Sequence, residues 1–167
     1  MFKNKICVCM LLDNNLTDFL ETLQKKLGRD NPSGHITIAT YENIDPAIIL
    51  DYTKEFCLQH NKFKLKYTGT GIMPGEYPFL FALPKVTNDL IQIHYDFHQK
   101  YDYKCIGHTS LYPNCWNPHT SLCSYSAESA DICVDYFHEI SGHVVGMKVV
   151  DVQENEFVLL AKYHLMD

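Results

Sequence analysis

Two histidines, each with a hydroxyl residue two places on, are the side chains of this chain best suited to chemistry: His35 with Thr37, and His119 with Ser121. An imidazole titrates near neutral pH, so one of a pair can start neutral and take a proton while the other starts charged and gives one. Residues i and i+2 of a strand point to the same face, so each motif sets an imidazole beside a hydroxyl. The hydroxyls can donate to the non-bridging oxygens of a phosphate, where charge builds up as a diester is cleaved. Two such pairs around one space suit the cleavage or formation of a phosphodiester, with neither a metal nor another cofactor expected. A single H-x-T carries little weight, because a lone strand histidine is more often a surface or core residue.

The pattern occurs twice. His35-Ile-Thr-Ile-Ala-Thr-Tyr41 and His119-Thr-Ser-Leu-Cys-Ser-Tyr125 match as H-x-[TS]-[IL]-[AC]-[TS]-Y, 84 residues apart in a chain of 167. At the same spacing Ile48 falls on Ile132, Asp51 on Asp135, Tyr52 on Tyr136 and Glu55 on Glu139. Each motif reads as a strand followed by a helix: residues 46–60 after the first, with Pro46 in the opening turn, and 127–141 after the second, ended by Gly142. Earlier helices are expected over 16–27, with Gly28 as the stop signal, and 87–101. Strands are expected over 6–12, 62–70, 79–83, 143–152 and 156–165. The resulting expectation is one α+β domain over residues 1–167, built as two lobes related by a pseudo-twofold axis. Antiparallel sheets line a central cleft, helices lie outside, and His35 and His119 face each other across the cleft.

Composition sets the limits. With 46% hydrophobic and 20% charged residues, the chain has the makings of one sizeable core and contains no run long enough to span a bilayer. Residues 1–12 superficially resemble a leader but lack a small-residue cleavage site, and read better as a buried first strand. Seven cysteines, an odd number without CxxC spacing, suit reduced thiols and a cytoplasmic setting. A formal net charge of −6, with Arg29 as the sole arginine, argues against a grip on long nucleic acid. A small nucleotide or short oligonucleotide remains compatible, since a local pocket can favour an anion when the whole surface does not. A monomer without membrane association is expected.

On these residues the chain resembles the two-histidine (2H) phosphoesterase superfamily, in particular its bacterial branch of 2′-5′ RNA ligases and cyclic phosphodiesterases. The resemblance extends to Gly69-Thr-Gly-Ile-Met-Pro-Gly75, Phe79-Leu-Phe-Ala-Leu-Pro84, Thr87 and His94, and to Leu111-Tyr112-Pro113 and Trp116-Asn-Pro-His119 ahead of the second motif. It implies a bilobal α+β fold, and hydrolysis or ligation at a 2′,3′-cyclic phosphate or 2′-5′ linkage. It also implies metal-free catalysis by His35, Thr37, His119 and Ser121. The chain departs from the common pattern in Ser121, where threonine is usual, and in Met73, where an aromatic is often found.

Other signals compete less well. His138-Glu139 and His143 have HExxxH spacing, one residue too long for two zinc-ligating imidazoles on one helical face. Asp51, Tyr52, Asp135 and Tyr136 read as helix packing and surface. Tyr112, Trp116 and Phe81 are the candidates for walls of the substrate pocket; Trp116 suits an anchor for the loop that aims His119 somewhat better. Lys85 and Lys148 could steer a phosphate, although a lysine is by default a solvated side chain.

Overall fold

The computed structural model describes residues 5–111, 116–153 and 156–167; Tyr112 and Pro113, named above, lie outside the described residues. Strand β1 (Lys5–Leu12) is buried on both faces: Ile6, Val8 and Met10 enter the main core, while Cys7 and Cys9 join Val150 in a small cluster on the opposite side. It lies between β2 (His35–Glu42) and β6 (Ile140–Gln153), antiparallel to both. Strands β3 (Phe63–Met73), β4 (Phe79–Pro84) and β5 (Thr120–Ser124) complete the order β2-β1-β6-β3-β4-β5, and β7 (Glu156–His164) pairs with β6. All these pairings are antiparallel. The long β6 meets β3 through Ile140 to Val144 and β7 from Gly146 onward. The expected α+β class with antiparallel strands is observed. The strands assigned to two separate lobes form one seven-stranded sheet, symmetric in order about its central β6–β3 pair.

Four helices cover one face of this sheet. In α1 (Asn14–Lys26) the core-facing residues Leu16, Leu20 and Leu23 recur at helical spacing, and the Asp13 carboxylate caps the first turn by accepting from Leu16 N at 3.1 Å. Asp45, followed by Pro46 at the first position, starts α2 (Pro46–Cys57); Thr87 starts α3 (Asn88–Tyr101); and Ser126, in a reciprocal cap with Ser129, starts α4 (Ala127–Tyr136). Ile49, Phe56, Leu90, Ile93, Phe97 and Cys133 from these helices pack with Ile36, Ile38, Leu65, Leu80 and Leu122 from the strands in one core. Among the described residues no helix is long and apolar enough to cross a membrane.

Two expectations are corrected. Helix α4 stops at Tyr136, not at residue 141, because Phe137 turns extended (φ −78°, ψ 135°) and Ile140 is already paired with Tyr67 of β3. Gly142 therefore lies inside β6, where a Cβ would sit 2.5 Å from an Asp13 carboxylate oxygen; a close approach, not a helix stop, calls for glycine there. His143 consequently lies on a strand, its amide donating to Asp13 Oδ2 at 2.7 Å. The helices after the two motifs begin at Pro46 and Ala127, 81 residues apart, so the 84-residue register does not carry through them. Tyr52 is half-buried and donates to Phe97 O at 2.6 Å, whereas Tyr136 is exposed beneath the Lys26 ammonium.

Candidate active site

Ile36 and Ile38 of β2 point into the helix-covered core with no exposure, so His35 and Thr37 take the other face of the strand. On β5, Leu122 is likewise fully buried, and Ser121 is exposed on the uncovered side. β2 and β5 are the two ends of the strand order, yet the Thr120 hydroxyl donates to His35 O at 2.8 Å, and the Tyr67 hydroxyl lies 2.6 Å from Thr120 Oγ1. The sheet is thus curled until its ends touch, and the two motifs come together on its uncovered face.

The two histidines are held in the same way. His35 Nδ1 donates to Ser33 O at 3.1 Å, and His119 Nδ1 donates to Asn117 O at 2.7 Å; each acceptor is the carbonyl two residues upstream. A carbonyl can only accept, so each neutral ring carries its proton on Nδ1 and keeps Nε2 for a substrate. The surroundings differ. Burial pushes the His35 imidazole down to about 3, with further lowering from the Lys148 and Arg29 cations. Lys148 Nζ donates to Ser33 Oγ at 2.9 Å, and that hydroxyl lies 3.1 Å from His35 Nδ1. His119 sits instead among rings, with Phe79 at 5.6 Å, Phe81 at 5.5 Å and His108 at 6.4 Å between centroids.

Two cavities open here. One, about 630 Å³, is lined by His119, Ser121, Thr37, Trp116, Phe79 and His108 among others. The second, about 490 Å³, is lined by His35, Ser33, Arg29, Lys148 and Lys162 among others, and Phe157 of β7 borders both. The structure therefore brings all four motif residues to one region, with His35 on the cationic side and the other three on the aromatic side. Trp116 lines the first cavity and is also an anchor: its Nε1 donates to Thr37 O at 3.0 Å, and its ring stacks on His94 at 4.0 Å. Phe81 is 6% exposed and packs against the His119 ring over Gly71, where a Cβ would lie 2.8 Å from Phe81 Cζ. Phe79, two residues earlier, is the β4 aromatic that faces the cavity. Among the described residues no group of three or more His, Cys, Asp or Glu side chains is gathered as a metal site.

No family model matches the chain and no curated protein sequence does, but solved structures do. The TT0787 protein of Thermus thermophilus superposes with a TM-score of 0.68 at 15% identity, over 96% of this chain and 97% of that one. Escherichia coli LigT in complex with 3′-AMP superposes with a TM-score of 0.66 at 12% identity, over 99% of this chain and 100% of that one. The chain has the LigT fold. A structure described as a phosphoesterase matches equally well, at a TM-score of 0.66 and 12% identity over 98% and 99% of the two chains. The α+β class with antiparallel strands implied by the two-histidine phosphoesterase resemblance is thus the class observed, on a single seven-stranded sheet.

Within this LigT fold, sequence reasoning missed three contributors. Gln24 of α1 has no exposure, yet its amide donates to Ser121 O at 2.7 Å and to Ser33 O at 3.3 Å, and its oxygen accepts from Ser33 N at 2.7 Å. One side chain therefore ties the segment before His35 to the strand after His119. A polar residue in register with Leu16, Leu20 and Leu23 was the available signal. Arg29, passed over as a solitary arginine, donates to Ser121 O at 3.1 Å; Gly28, with φ +79°, ends α1 and turns the chain toward the site. Phe157 was visible only as part of a strand.

Proposed function

We propose that this chain is a metal-independent phosphoesterase that hydrolyses, or reversibly forms, a small phosphodiester. The bond is a 2′,3′-cyclic phosphate or 2′-5′ linkage of a nucleotide or short oligonucleotide, and His35 and His119 are its base and acid. The mirrored clamping of the two rings, each Nδ1 on the carbonyl two residues upstream, carries this reading: it occupies both Nδ1 atoms and leaves both Nε2 atoms for a substrate. In hydrolysis of a cyclic phosphate, His35, held neutral by burial and cations, accepts the proton of the attacking water as the new P–O bond forms. His119 in its protonated form gives a proton to the ribose oxygen as the old bond breaks. Thr37 and Ser121 donate to the non-bridging oxygens, and the phosphate's charge offsets the repulsion between the histidines and their cationic neighbours.

Phe79 and Trp116 wall the substrate, and Phe81 supports the His119 ring from behind. Opening a 2′,3′-cyclic phosphate at the 2′ oxygen leaves a 3′-phosphate, the class of nucleotide that LigT holds in its 3′-AMP complex. The same reading takes the two halves of the chain, with their motifs at 35–41 and 119–125, as copies of one ancestral unit within a single domain.

The decisive experiment is turnover of 2′,3′-cyclic nucleotides and 2′-5′-linked dinucleotides in EDTA by the wild type, His35→Ala and His119→Ala. Activity that survives the chelator and collapses in both variants is the expected result. Absence of turnover on every substrate, with nucleotide still bound, would replace the enzyme with a binding module on the same fold.

A further inference from the structure

Three cations meet beside His35 in a chain whose formal net charge is −6: Arg29, Lys148 and Lys162 all line the 490 Å³ cavity, and no carboxylate is among its described lining residues. Lys148 and Lys162 are directly opposite each other on β6 and β7, an arrangement that destabilises a sheet when the charges are alike. Lys148 is also half-buried, and burial together with Lys162 and Arg29 lowers its pKa. Its ammonium donates to the neutral Ser33 hydroxyl, and Glu21 is the carboxylate that favours its charged form. A protein that retains two opposed lysines and its sole arginine around a cavity gains from a dense anion placed there.

On the proposed function the scissile phosphate lies against Thr37, His119 and Ser121, which line the adjoining cavity, and His35 reaches it from the cationic cavity it lines. The two cavities meet at Phe157, whose ring is 67% exposed and offers an open face at their shared border. Resting on the function proposed above, we infer that the cavity of Arg29, Lys148 and Lys162 is a second phosphate subsite. The preferred substrate then carries a further phosphate next to the bond being cleaved, with the intervening nucleoside against Phe157. Exposed aromatic rings bind bases with little regard to their identity, so this subsite selects for the number of phosphates and not for sequence.

The added phosphate could be a terminal 5′-phosphate or an internucleotide linkage, and kinetics separates them. The values of kcat/KM are compared for a 2′,3′-cyclic mononucleotide with a 5′-hydroxyl, the same compound with a 5′-phosphate, and a 5′-hydroxyl dinucleotide ending in a 2′,3′-cyclic phosphate. At least one of the latter two is expected to exceed the first by tenfold or more, and the higher one names the source. That advantage falls to within about twofold in Lys148→Met, which keeps the buried stem, and in Lys162→Ala, which changes an exposed side chain. Equal values for all three substrates, or an advantage unchanged in both variants, would overturn the subsite.

Binding of adenosine 3′,5′-bisphosphate against adenosine 3′-monophosphate provides a readout independent of turnover. A tenfold tighter bisphosphate that loses its advantage in Lys162→Ala supports the subsite even if no diester is cleaved, in which case the catalytic proposal alone falls. Equal affinities overturn the subsite whatever the catalytic result.

Discussion

The two half-sites hold their histidines with the same bond and surround them with opposite chemistry. His35 stands beside Lys148 and Arg29, over a floor of Cys9 and Val150. His119 stands among Phe79, Phe81 and His108. Around His35, desolvation and cations both oppose a positive ring, so that imidazole is poised to accept a proton once an anion offsets the repulsion. Around His119, the rings of Phe79, Phe81 and His108 stand where His35 has Lys148 and Arg29. The backbone clamp is the same in both halves, so on the proposed function it is the neighbours outside the motif that would set base apart from acid.

The largest effect that tests this contrast is loss of either imidazole. His35→Ala and His119→Ala should each lower kcat/KM by about 10²- to 10⁴-fold. The pH profiles should differ, with the acid limb flattened when the base His35 is absent and the alkaline limb flattened when the acid His119 is absent. Identical changes in both profiles would make the halves equivalent and remove the polarity.

The link between the halves comes next. Gln24→Leu leaves Ser33 N and the Ser121 and Ser33 carbonyls without their amide partner and should cost about 3 kcal/mol in denaturant unfolding. A stability within error of wild type would show that the remaining bonds between the halves, from Thr120, Arg29 and Trp116, hold them together without Gln24.

Each half also contains an imidazole kept neutral by the fold: His35, pushed down to about 3, and His94 behind Trp116, pushed down to about 4 by burial. In the unfolded chain both titrate near 6.5, so between 6.5 and 4 the unfolded state binds more protons. Stability is full above pH 6.5 and falls as the pH drops toward 4. His94→Gln should flatten that fall by an amount on the order of 2 kcal/mol, read from denaturant midpoints across the pH range. An unchanged slope would assign the acid sensitivity to the His35 half.

The smallest effect concerns the anchor of the His119 segment. Trp116→Phe removes the bond from Nε1 to Thr37 O and should cost about 1 kcal/mol. A drop in kcat larger than the loss of stability accounts for would show that Trp116 sets the aim of His119 as well as packing on His94.

Much of this arrangement was legible because it is local. The opening turn at Pro46, the stop at Gly28 and the helical pattern that starts near Ala127 after the second motif each act within a few residues, and all appear where the sequence puts them. Gly142 misled for the same reason: a glycine at the close of a helical pattern reads as a helix end, whereas its requirement is set by Asp13, which reaches it only through the pairing of β1 with β6. The agreement at Tyr52 and Tyr136 was a coincidence of spacing, since the helices start 81 and not 84 residues apart.

The sequence by itself determined the pair of H-x-[TS] motifs, the faces of the strands that carry them and the α+β class, because periodicity and capping are properties of short segments. Only the tertiary structure decided that β2 and β5 meet, that Gln24 joins them, and that Lys148, Lys162 and Arg29 gather on one side of His35 while aromatic rings gather around His119. Those choices depend on strand order and sheet curl, which bring residues more than a hundred positions apart into contact and leave no periodic trace in the chain.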